Sequence, residues 1–216
     1  MVAIVIIAAI IYSGRAAKKR REEMALLAAR LGLRYSADQD PYYATRFGFL
    51  NRLKEGSNRY AFNILSGNYL GNEILAFDYH YETYSTDNKG NRRTDHYYFS
   101  FFICNLPLAF PELTIAREGM LSKIAQTFGY DDIDFESAEF SGKFCVRSKD
   151  KKFAYDVCNA LMIDYLLANP DLNIEIEATA LAIGFGFRLS AAQIEMNLNR
   201  LVKIRSLLPD YLFTKA

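Results

Sequence analysis

His80 and His96 are the only histidines in the chain, and the first has a carboxylate two residues away on either side, Asp78 and Glu82. Two imidazoles with a carboxylate form a donor set able to hold a transition metal. On an extended strand Asp78, His80 and Glu82 point one way, and Phe77, Tyr79 and Tyr81 the other. A second run carries Tyr97, Phe99, Phe101 and Ile103 at the same period, so odd residues should pair with odd ones. This register brings His80 and His96 to one face, expected to be the wetter. It defines a candidate metal set of His80, His96, Asp78 and Glu82, against the alternative of two exposed hairpin histidines with no role.

Three other groups invite a chemical reading. The carboxylates of Asp131, Asp132, Asp134, Glu136 and Glu139 do not follow a calcium loop. Counted from Asp132, the turn glycine is replaced by Ser137 and the bidentate acid by Lys143. Their alternation with Ile133 and Phe135 describes a half-buried segment with its acids in water. Cys145 shares a strand side with Lys143 and Arg147, which would favour its thiolate, but no base is assigned to it by sequence. Gly184 and Gly186 form a lone GxG without the third glycine of a phosphate loop, and are expected to offer a flat surface to a packed backbone.

The elements that must position these residues are legible in outline. Strands are expected near 59–66, 72–84 and 95–105, followed beyond Pro107 and Pro111 by a short strand ELTIAR and a helix EGMLSKIAQTFG. A strand over 138–148 and a helix through DKKFAYDVCNALMIDYLLANP come next. NIEIEAT and LAIGFGF form two strands or one bent one. Ser190 and Gln193 then form a capping box opening an amphipathic helix with Ile194, Leu198, Leu201, Val202 and Leu208 on one face. The expected fold class is α+β: an antiparallel or mixed sheet with helices segregated to one side, preceded by an N-terminal membrane-anchor helix.

The anchor is read from residues 2–12, an uncharged run followed by a basic stretch. Val2, Ile4, Val5, Ile6, Ile7, Ile10 and Ile11 would enter the membrane, and Arg15, Lys18, Lys19, Arg20 and Arg21 would grip headgroups. Charges that follow the apolar run, rather than precede it, suit an uncleaved anchor with the domain on the cytoplasmic side. Eleven residues at about 1.5 Å each span roughly 17 Å of an approximately 30 Å hydrocarbon core. The segment therefore continues upstream or lies in the interface, and the first is favoured. A helix through RREEMALLAARLGL, ending at Gly32, would form a stalk. The expected division is thus 1–32 for anchor and juxtamembrane helix and 33–216 for one cytosolic α+β domain.

Composition bounds the function. The 216 residues are 51% hydrophobic and 24% charged, with a net charge of +1. Without the five basic residues of the first 21, the remainder has 21 basic against 25 acidic side chains, so no electrostatic footprint for nucleic acid is expected. Three cysteines without a CxxC agree with a reducing compartment.

The runs FDYHY at 77–81, NLPLAFPELTIAREG at 105–119, GYDDIDFESAEF at 129–140 and KFAYDV at 152–157 resemble motifs of an uncharacterised prokaryotic family of membrane-anchored proteins of unknown function. The resemblance spans most of the chain beyond the anchor. It implies an anchored cytosolic domain and says nothing of catalysis.

The functional expectation is a membrane-tethered cytosolic binding or scaffold domain, non-catalytic and without a cofactor. The alternative is a metal-assisted hydrolase using His80, His96 and the nearby carboxylates. Membrane lipid is the expected partner, together with a protein partner or a second copy. Tyr42, Tyr43, Phe47 and Phe49, just beyond the stalk, are the candidate partner surface unless they fill the domain's own core.

Overall fold

A computed structural model describes residues 2–87, 90–117 and 132–214, with side chains from residue 14 onward. Helix α1 (Val2–Leu31) ends at Gly32, whose φ of 69° suits a residue without a Cβ. Then come β1 (Arg34–Ser36), the single-turn α2 (Tyr42–Arg46), β2 (Ser57–Tyr69), β3 (Asn72–Thr86) and β4 (Arg92–Arg117). The second half holds α3 (Ala138–Ser141), β5 (Phe144–Ser148), α4 (Lys151–Val157), α5 (Ala160–Ala168), β6 (Ile174–Gly184), α6 (Ala191–Leu207) and a 3-10 turn (Asp210–Phe213). The expected helix EGMLSKIAQTFG lies outside the described residues, apart from Glu112–Arg117 before it, which close β4.

The six strands form one antiparallel sheet in the order β1-β2-β3-β4-β5, with β6 on the other edge of β4. Strand β4 is its backbone: residues 92–104 pair with β3, 113–117 with β5, and residues 101–115 with β6. The break expected at Pro107 and Pro111 does not occur. The strand runs through both prolines because the β4–β6 register shifts between Asn105 and Phe110, and again between Phe110 and Leu113. Proline is tolerated at such irregularities because no ladder hydrogen bond is asked of it.

The bulged stretch also exchanges the faces. Before it, Phe99, Phe101 and Ile103 belong to one core; after it, Leu113 and Ile115 belong to the other. Strand β6 makes the same exchange at Ala178, the partner of Phe110, which has a φ of 49°. Ile174 and Ile176 precede it in the main core, where Leu181 and Ile183 follow. Paired irregularities keep the two strands in step, so neither exposes an apolar row.

Both faces of the sheet are covered. On one, α1, α4, α5 and α6 bury Met24, Leu27, Phe153, Met162, Ile194 and Leu198 against Ile74, Ala76 and Phe102. On the other, α2 and the turns after it bury Ala44, Phe47, Leu50 and Leu53 against Phe77, Tyr79 and Phe101. The expectation of helices on one side therefore holds for the long ones, and α2 corrects it. Residues expected as a stalk are also core: Met24, Leu27 and Ala28 are buried, so the domain's packing begins before Leu33. No helix among the described residues is long and apolar enough to cross a membrane.

Local signals explain the remaining boundaries. Ser190 and Gln193 make the expected capping box. The single helix expected over 150–170 is two, because Asn159 caps a new start by accepting from the Met162 N–H at 3.2 Å. The expected strand over 138–148 begins only at Phe144, since Ser137 caps the turn α3.

Candidate functional site

The β3–β4 register is the expected one, with Phe77 opposite Phe101, Tyr79 opposite Phe99, and Glu82 opposite His96. His80 and His96 share a face, but the face is not wet on the β3 side. His80 is 1% exposed, between the rings of Tyr60 at 4.5 Å and Tyr98 at 4.7 Å. Its Nε2 lies 3.1 Å from His96 Nδ1, and Glu82 Oε1 lies 3.9 Å and 3.4 Å from those two atoms.

Asn58 orders this cluster. It sits at a register shift of β2 against β3, in the left-handed region at φ 48°. Its carbonyl accepts from His80 Nδ1 at 3.0 Å, and its amide donates to Glu82 Oε1 at 2.6 Å. A carbonyl can only accept, so the His80 proton is on Nδ1 and the Nε2 lone pair faces His96. Burial lowers the His80 pKa and favours the neutral ring, against the opposing Asn58 carbonyl. Hydrogen bonds from Asn58 and from the Tyr84 hydroxyl hold the Glu82 carboxyl below its ordinary range.

Asp78 does not join the cluster. Arg20 Nε and Nη2 donate to its two oxygens, each at 2.7 Å, Asn63 at 2.9 Å and Ser100 at 3.0 Å. With two hydrogen bonds on each oxygen, this fully buried carboxylate has nothing left for a metal. Arg20 is corrected in the same way: it is no headgroup cation, since its third donor, Nη1, reaches the Leu189 carbonyl at 2.6 Å. Arg15, Lys18, Lys19 and Arg21 remain exposed. Val2, Ile4, Val5, Ile6, Ile7, Ile10 and Ile11 lie on α1, and their side chains are outside the described residues.

The four aromatic candidates divide. Phe47 is core, Tyr43 and Phe49 pack half-buried against it, and Tyr42 alone stands exposed. Their rings touch in a chain from Tyr42 through Tyr43 and Phe47 to Phe49, so most of this aromatic group is spent on the domain's own packing. Cys145 is corrected as a nucleophile candidate: burial, then Asp132, push its thiol up to about 11 in spite of Arg147.

Sequence reasoning missed a cleft of about 380 Å³ on the opposite face of the sheet from the histidines. Phe101, Ala182 and Gly184 line it together with Phe185, Phe187 and Arg52, whose Nη2 donates to the Phe185 carbonyl at 3.5 Å. Gly184 meets a ring rather than the expected backbone: a Cβ there would lie 2.8 Å from Phe101. Polar groups gather at one end. Thr114 Oγ1 is buried with no hydrogen-bond partner among the described residues. Beside it on β6, Glu175 accepts from the Asn51 N–H at 2.7 Å, and burial pushes its carboxyl up to about 7. The only signal in the sequence was the small-residue run Ala180, Ala182, Gly184, Gly186 among large apolar residues.

No protein-family model matches the chain, and no curated protein matches it. Among solved structures, the chain is similar to the crystal structure of the mycobacterial trehalose monomycolate transport factor A, TtfA, at 13% identity. The match covers 90% of this chain and 97% of that one with a TM-score of 0.59, a likeness of fold.

Proposed function

We propose that the protein is a non-catalytic, membrane-tethered binding domain whose cleft accepts one apolar chain of an amphipathic lipid. The observation that carries this reading is the cleft itself. Its walls are mostly apolar, its volume falls in the range of small-molecule sites, and an unpaired hydroxyl at Thr114 waits at one end. The likeness to a transport factor for trehalose monomycolate supports a lipid-related role at the level of fold. The tether rests on the apolar run of α1 and on the exposed Arg15, Lys18, Lys19 and Arg21 after it, whose order faces the domain to the cytosol. The runs that resemble motifs of an anchored prokaryotic family are in keeping with this reading.

The test is lipid extraction from the purified full chain, followed by displacement with a fluorescent fatty acid. Gly186 has room: the nearest atom to an added Cβ is Arg52 Nη2 at 3.9 Å. Gly186→Leu should therefore block the cleft and abolish probe binding while leaving the melting temperature unchanged. A wild-type chain that carries no lipid and binds no probe, or a Gly186→Leu chain that binds as well as wild type, overturns the reading.

A further inference from the structure

We propose that Glu82, His80 and His96 bind a single divalent transition-metal ion of the zinc class through one carboxylate and two imidazole nitrogens, with a fourth position open to solvent. The three donor atoms are 3.1, 3.4 and 3.9 Å apart. A tetrahedral ion with bonds of about 2.0–2.1 Å needs its donors roughly 3.3–3.4 Å apart, so shifts of a few tenths of an ångström complete the site.

The support around the ligands is that of a metal site. The Asn58 carbonyl fixes His80 with its Nε2 lone pair toward the centre, and the Asn58 amide and Tyr84 hydroxyl anchor Glu82. In the metal-free chain His96 donates from Nδ1 to His80. On binding, the half-exposed His96 ring changes tautomer through solvent, its single proton moving from Nδ1 to Nε2, so that both histidines present lone pairs to the ion. His96 is 50% exposed in its side chain, which gives the ion a route in and leaves water as the fourth ligand. The site is on the other face from the lipid cleft and does not depend on it.

The experiment strips the full chain with a chelator, adds Zn²⁺ and measures bound metal, then repeats the titration with Co²⁺ and records its visible absorption. One equivalent per chain and the intense bands of tetrahedral Co²⁺ are expected. His96→Ala and Glu82→Gln should each weaken binding at least tenfold, and zinc should raise the melting temperature of wild type but not of His96→Ala. His80 is packed between rings and its loss could unfold the strand, so the half-exposed His96 is the deciding position. Asn58→Gly keeps the left-handed backbone and the carbonyl and removes only the amide, and should weaken binding about tenfold. Wild type without stoichiometric metal, or undiminished binding in both His96→Ala and Glu82→Gln, overturns the proposal.

Discussion

Asp78 and His80 are two residues apart on one strand, yet their neighbours give them opposite roles. Asp78 is saturated by a guanidinium from 58 residues away, and its burial depends on that partner. Arg20→Ala would leave a buried carboxylate without its counter-charge and should cost about 3–5 kcal/mol in urea unfolding. A loss under 1 kcal/mol would mean that Asn63 and Ser100 suffice. Glu175 carries a pH signature. Its folded-state pKa, raised from 4.5 to about 7, means the folded chain holds a proton that the unfolded chain has released. Its contribution is fully present below 4.5 and is lost as pH rises through 7, so stability should fall across that window. Glu175→Gln should flatten this part of the profile; an unchanged slope would assign it to another group. The sequence made the His80–His96 juxtaposition legible, because hairpin register is a local consequence of period-two patterning. The fate of Asp78 was not legible, since nothing near it announces Arg20.

At the scale of elements, what could be read was what local chemistry decides. The capping box opens α6 where Ser190 and Gln193 placed it, and Gly32 ends α1. What could not be read was decided by pairing. Two prolines argue for a break, but β4 stays continuous because β6 supplies a matching irregularity at Ala178, some 70 positions on. The exchange of faces that follows could not be seen from either strand alone. Helix α6 is amphipathic as expected, and of its expected face Ile194, Leu198 and Leu201 are buried in the main core, with Leu208 buried just past its end; Val202 is only half-buried, and Ile204 takes its place in the core. The helix is part of the domain rather than an appendage. Leu201→Ala, fully buried at present, should lower unfolding free energy by about 2–5 kcal/mol through lost contacts and a residual cavity. An effect within 0.5 kcal/mol would mark α6 as peripheral.

At the scale of the whole molecule, α1 joins an apolar run and a core-packed segment in one continuous helix. Its first half is the apolar run; its second half is bolted to the sheet by Arg20 on Asp78 and by Met24, Leu27 and Ala28. From residue 13 to Arg20 the helix rises about 10 Å, so a membrane-held apolar run would keep the domain close to the bilayer with little freedom to swing. The proposed tether and the observed core packing of this helix are separable, and two truncations distinguish them. Removal of residues 1–14 should release the domain from membrane to soluble fractions and leave its melting temperature unchanged, because every described core contact of α1 lies beyond that point. Removal of residues 1–24 strips Arg20 and Met24 as well. It should destabilise the domain severely, by the stranded Asp78 carboxylate and by about 1.5–3 kcal/mol of lost apolar burial at Met24. If the full chain is already soluble when expressed with its native start, the tether is wrong. If the longer truncation melts like the shorter one, the second half of α1 does not hold the fold.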